Sequence, residues 1–129
     1  MKITDKVKSY DDVCKIKGID PVKGLPFPDA KTPEEIAVNG FTKIIRTIEV
    51  LNEGWQPDWS NSNQMKYYPW FDMRPEYAVG SGVGFSYDGS YYAYSYSSVG
   101  SRLVLKSRQL VHHIQEYFLK EYSDFMVMS

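Results

Sequence analysis

Apolar residues recur at helical spacing towards both ends of the chain and give way to alternation in the middle. Ala37, Phe41, Ile44, Ile45, Ile48 and Leu51 form one stripe at a period of 3.6 residues. Thr32-Pro33-Glu34-Glu35 precedes it, with threonine as N-cap, proline at the first helical position and glutamate at the third. With Gly54 as the stop, a helix is predicted over 33–53. Gly40 sits inside this helix at a cost of about 1 kcal/mol against alanine, which predicts the close approach of another element there. Ser9, Asp12 and Gly18 frame a shorter helix with Tyr10, Val13, Cys14 and Lys17 on one face. Three prolines and a glycine make 19–31 an ordered loop. Near the other end, Ser107 caps a helix predicted over 108–125, with Leu110, Ile114, Tyr117, Phe118, Tyr122 and Phe125 as its stripe.

The middle of the chain reads as β. Residues 66–73 form an aromatic strand in which Pro69 cannot donate to a ladder, predicting an edge or a bulge. Residues 83–88 and 91–97 flank Asp88-Gly89, a hairpin signal. In the second arm Tyr92, Tyr94 and Tyr96 point to one face, and Tyr91, Ala93, Ser95 and Ser97 to the other. A fourth strand is predicted over 102–106 after the Gly100-Ser101 turn, with Leu103 and Leu105 on one face. The expected fold class is α+β: a small antiparallel sheet of about four strands packed against two amphipathic helices, in the order α-α-β-β-β-β-α. The whole of 1–129 is expected to form a single domain. Residues 1–31 contribute the short helix and proline-rich loop, and 32–129 the α+β body. Trp55, Trp70 and Phe71 are its candidate core aromatics.

Composition narrows the function classes. Of 129 residues, 43% are hydrophobic and 24% charged, a balance that excludes disorder by composition. The net charge of -1 argues against a duplex nucleic-acid binder. A single cysteine excludes an internal disulfide and a thiolate zinc cluster. No apolar run approaches the ~20 residues of a membrane span, and the first residues carry no secretory pattern, so the expected compartment is the cytoplasm. Aromatic residues make up 16% of the chain, and thirteen of them fall between Trp55 and Tyr96.

Chemistry-bearing residues do not assemble into a catalytic pattern. His112 and His113 are neighbours about 100° apart on a helix and do not converge on one metal. Cys14 lies on an apolar face, as a small buried hydrophobe does. Glu34-Glu35 and Asp11-Asp12 occupy first helical turns, where the macrodipole favours them. Glu53, Asp58 and Asp72 lie near tryptophans without a spacing that singles out an acid pair. Gly80-Ser81-Gly82-Val83-Gly84 resembles a phosphate cradle but leads into a strand rather than a helix. No enzyme, cofactor or metal is therefore expected.

Three segments stand out as a set: Leu51-Asn52-Glu53-Gly54-Trp55-Gln56-Pro57-Asp58-Trp59, Tyr67-Tyr68-Pro69-Trp70-Phe71, and Val99-Gly100-Ser101-Arg102-Leu103 followed by Lys106-Ser107-Arg108. On these the chain resembles a group of small uncharacterised proteins from gut Bacteroidetes and their phages, over roughly residues 32–126. The resemblance implies a phage, prophage or mobile-element origin, and it carries no catalytic residue over to this chain.

A binding or assembly module that uses an aromatic β face for protein contacts or self-association is the expected function. Tyr, Trp and Met are favoured in interface cores, where charge is depleted. The candidate binding residues are Tyr87, Tyr92, Tyr94, Tyr96 and Arg102. The alternative is a single-stranded nucleic-acid platform built from the same tyrosine-rich face with Arg102, Lys106 and Arg108. Against it, 55–101 holds two cations and four carboxylates. Arg102 has a second expected role, an ion pair with Glu53.

Overall fold

The computed structural model describes residues 1–73, 86–93 and 95–128, with the backbone alone over 86–93. Five helices dominate the described chain: α1 (Ile3–Lys6), α2 (Tyr10–Lys17), α3 (Pro33–Asn52), α4 (Arg108–Tyr117) and α5 (Leu119–Met126). Between α3 and α4 lie β1 (Lys66–Asp72), β2 (Ser86–Ala93) and a 3₁₀ turn (Ser101–Leu103). The predicted four-stranded antiparallel sheet is not formed. The fold is mostly helical, and among the described residues strand pairing is confined to β1 and β2.

The local reason is visible at each missing strand. Asp88-Gly89 does not turn the chain; it lies inside β2, opposite Trp70, where Trp70 pairs with Gly89 and Phe71 with Tyr87. Asp88 is the extra residue of a β-bulge, so the loop-like dipeptide bends a strand instead of ending one. In 102–106 the chain first makes the 3₁₀ turn and then a single antiparallel bridge, Leu105 to Tyr67. Strand β2 stops at Ala93, and 95–99 is not strand. Tyr94, Phe85 and the glycine run 80–84 lie outside the described residues. Pro69 is tolerated for a clear reason. Tyr67 turns its N–H and C=O to Leu105, and Pro69, two residues on, faces the same side, where no ladder continues among the described residues.

The long helix forms as its sequence predicts. Thr32 Oγ1 accepts from the Glu35 amide at 3.1 Å and Glu35 Oε1 accepts from the Thr32 amide at 3.0 Å, a complete capping box. Glu53 then adopts a left-handed conformation (φ 49°) followed by Gly54 (φ 87°), which reverses the chain at the helix end. Ser9 caps α2 and Ser107 caps α4. The predicted C-terminal helix is two helices: Phe118 leaves helical geometry (φ -128°, ψ 25°), and α4 and α5 meet at that fully buried ring.

The core is aliphatic and helical. Val7, Val13, Ile44, Leu51, Leu105, Val111, Ile114 and Phe118 are fully buried within it. Phe71 reaches it from β1, its ring 4.9 Å from that of Tyr122. The tryptophans do not join: Trp55 is half-buried, and Trp70 is 49% exposed. His113 is buried, and its Nε2 hydrogen-bonds the Val7 carbonyl. A carbonyl only accepts, so Nε2 carries the proton and the ring anchors the chain between α1 and α2. Cys14 is buried and free.

Gly40 marks the closest crossing. A Cβ there would stand 2.7 Å from the Asp124 Cβ and 2.9 Å from the Glu121 carbonyl oxygen of α5. The backbones touch because the side chain is missing. Gly40→Ala gains about 1 kcal/mol of helix propensity but must separate the two helices, so a net loss of about 1–3 kcal/mol is expected. A denaturant titration checks it; a stabilised variant would refute the close-contact account.

Candidate functional site

Two surfaces gather the residues that the sequence marks. The first is a cleft at the C-terminal end of α3. Reversal of the chain at Glu53-Gly54 turns Trp55, Gln56 and Pro57 back beside the helix, and the 3₁₀ turn closes the other wall with Ser101 and Arg102. Ile45, Ile48, Glu49 and Asn52 line the helix side of a space of about 560 Å³. The segments 51–59 and 99–103, far apart in sequence, thus meet here. Trp59 Nε1 donates to Ser101 Oγ at 2.6 Å and fastens the walls together. Gly100 at φ 76° makes the turn possible, and Ser97 Oγ accepts from the Val99 and Gly100 amides.

Asn52 holds the floor of this cleft. It is buried, its Nδ2 donates to the Val104 carbonyl at 3.0 Å and its Oδ1 accepts from the Lys106 amide at 3.0 Å. Its carboxamide therefore bonds one edge of the extended segment 104–106 as a neighbouring strand would. On the other edge Leu105 exchanges bonds with Tyr67, N–H to Tyr67 O at 2.7 Å and C=O from Tyr67 N at 3.0 Å.

The loop leading from the cleft to β1 is ordered by its own polar groups. Asp58 Oδ1 accepts from the Ser60 amide and hydroxyl, and Gln64 Oε1 from the Asp58 amide. The Ser60 hydroxyl, then its amide, hold the Asp58 carboxyl below its ordinary value. Lys66 is fully buried at the start of β1; its Nζ donates to the Asn61 carbonyl at 3.0 Å and lies 5.1 Å from the Trp59 ring centre.

The second surface is the ribbon. Tyr87 and Tyr92 lie on β2, paired with Phe71 and Tyr67. Tyr94 is outside the described residues, and Tyr96 is 92% exposed beyond the strand. Trp70 stands on the β1 face opposite the core-facing Tyr67 and Phe71, and Met65 and Met73 are exposed at the two ends of this strand. Arg102 is not on the ribbon; it belongs to the cleft. Glu53 pairs with Lys106 at 3.8 Å rather than with Arg102, which makes no ion pair among the described residues. Arg108 lies over the Tyr67 ring, 5.7 Å from its centre. Lys106 and Arg108 are thus engaged within the protein, whereas Arg102 lines the cleft.

His112 is exposed, and no group of three or more His, Cys, Asp or Glu side chains suited to a metal occurs among the described residues. No helix is long and apolar enough to cross a membrane among them. The cleft residues Ile45, Ile48, Asn52 and Trp55 were legible only as parts of a helix stripe and a distinctive run. The buried Lys66 has no sequence signal, since a lysine opening a strand reads as a solvated one. Compared with known proteins, the chain finds no match among family models, curated proteins or solved structures.

Two measurements follow from this geometry. Asn52→Ala strips a buried carbonyl and an amide of their partner and is expected to cost about 2–4 kcal/mol. Asn52→Asp should not recover it, because a carboxylate would confront the Val104 carbonyl; urea midpoints decide. For Asp58 the folded carboxyl titrates below the unfolded one, so its contribution is present above about pH 4 and is lost as the pH falls through the folded value. Trp59 fluorescence should report loosening of the 58–66 loop in that acid window, and Asp58→Asn should abolish the transition.

Proposed function

We propose that the protein is a non-enzymatic binding module that offers its aromatic ribbon to a protein partner. The observation that carries this reading is Trp70. A tryptophan at 49% exposure on β1 beside the bulge, with exposed Met65 and Met73 at either end of the strand and Tyr96 92% exposed, has the composition of an interface core. Tyr87 and Tyr92 occupy the neighbouring strand, and Tyr94 follows in sequence. Arg102 adds a cation at the cleft, available to a carboxylate on a partner.

A single-stranded nucleic-acid platform is the competing use of such aromatics. It is less favoured because Glu53 occupies Lys106 and Arg108 is stacked on Tyr67, which reduces the counterion-release contribution that nucleic acid supplies. The host-linked expectation, a phage or mobile-element protein acting in the cytoplasm, belongs to the same reading and rests on the resemblance of the three segments.

In-cell photo-crosslinking from a benzoylphenylalanine placed at Tyr96 tests the reading. The expected result is a protein adduct that survives nuclease and high salt and weakens at least about fivefold in Trp70→Ser. Adducts removed by nuclease, or unchanged in Trp70→Ser, would overturn it.

A further inference from the structure

The cleft at the C-terminal end of α3 is walled on three sides and held in shape by the chain itself. Ile45 and Ile48 line it from the helix, Trp55 and Pro57 from the returning chain, and Ser101 with Arg102 from the 3₁₀ turn. Glu53 and Gly54, at φ 49° and 87°, set one lip, and Gly100 at φ 76° sets the other. The Trp59 indole, bound to Ser101 Oγ at 2.6 Å, ties the two lips together. The volume of about 560 Å³ falls within the roughly 300–1,000 Å³ of small-molecule sites. A site fixed in advance loses little binding energy to its own ordering.

The polar groups of the cleft select the ligand. Glu49 is the carboxylate among the described lining residues, and Lys17 of α2 already neutralises it at 2.8 Å. Asn52 commits both functions of its carboxamide to the 104–106 segment. Arg102 is exposed and makes neither an ion pair nor a side-chain hydrogen bond among the described residues. Its neighbour Ser101 accepts the Trp59 N–H at Oγ, which leaves the Ser101 O–H to donate. One uncompensated positive charge and one hydroxyl donor thus stand side by side, next to an apolar wall that includes the half-buried Trp55 ring. A guanidinium matches a carboxylate through two parallel hydrogen bonds. An indole favours a flat ring stacked offset or edge-on. A cationic ligand would be repelled by Arg102, and a neutral one would cover that charge without pairing it.

We propose that this cleft binds a small aromatic monocarboxylate, its carboxylate on the Arg102 guanidinium and the Ser101 hydroxyl and its ring against Trp55 and Ile45. The proposal rests on the reading of Arg102 as a contact for a carboxylate. It needs nothing from the ribbon, which lies on β1 and β2 and stays open to a protein partner.

Amide NMR titration of the full chain with benzoate, 3-phenylpropionate and indole-3-acetate tests it. At least one of the three should bind with a Kd of about 1 mM or tighter and shift the amides of Gly54, Trp55, Ser101 and Arg102, which line the cleft. Its uncharged carboxamide, and acetate without the ring, should each bind at least about tenfold more weakly. Arg102→Gln should weaken the acid about tenfold or more and erase the difference between acid and carboxamide. Trp55→Ala should weaken acid and carboxamide alike. Arg102 is exposed, so its variant is expected to fold, and thermal unfolding confirms this for both. No saturable shift with any of the three acids up to about 10 mM, equal affinity for acid and carboxamide, or undiminished binding in Arg102→Gln would overturn the proposal. So would shifts gathered on β1 rather than around the cleft. Trp70→Ser should leave the titration unchanged, so a failed crosslink from Tyr96 beside intact carboxylate binding overturns the ribbon alone, and the reverse result overturns the cleft alone.

Discussion

The short segment 104–106 has to be hydrogen-bonded on both edges while its side chains are sealed in the core. Val104 and Leu105 have no exposure, and buried backbone groups left without partners are costly. One edge is served by Tyr67 and the other by the side chain of Asn52. This double bond is what joins the strand ribbon to the long helix. It also sets where α4 begins, since Ser107 caps that helix immediately afterwards. The arrangement explains why a strand-like stretch makes only one bridge: a helix side chain occupies the edge where another strand would pair.

The same clamp recurs at the other end of α3. Asn39 is buried, accepts from the Phe27 amide at 3.0 Å and donates to the Phe27 carbonyl at 2.8 Å. It holds the proline-rich loop against the helix as Asn52 holds 104–106. Two asparagines on a mostly apolar helix thereby fix two irregular segments. Burial of amides is tolerated here because both functions of each carboxamide are used. Helix α3 is thus the framework of the molecule, with α5 against Gly40, α2 against Arg46 and Glu49, and loops bound at both ends.

The core is filled mostly by aliphatic side chains, with Tyr10, Phe118 and Tyr122 as its buried aromatics and Tyr67, Phe71 and Phe125 packed against it. Trp55 and Trp70 are left at surfaces, one beside the cleft and one on the ribbon. Glu121 illustrates the tightness of the covered side: burial in the α3–α5 crossing pushes its carboxyl up, against the pull of nearby Lys43.

Local signals determined α2, α3 and the start of α4. The capping box, Pro33, Ser9, Gly18 and Ser107 all act within a turn of themselves, so the elements they bound were readable from neighbouring residues. Gly40 announced a close contact because no local benefit offsets its helix cost. Pairing across the chain was not readable in this way. Asp88-Gly89 carries a turn preference, yet a strand partner holds it extended as a bulge. The alternation in 102–106 suits a strand, yet Asn52 takes its edge. The exposure of Trp70, the burial of Lys66 and the meeting of 51–59 with 99–103 depend on which elements lie opposite. The sequence alone therefore determined α2, α3 and the start of α4 with their caps, and the need for a close crossing, but neither α1 nor the break at Phe118. Tertiary structure decided which edges were paired and which aromatics stayed outside, because long-range pairing is settled by the total of buried contacts rather than by local preference.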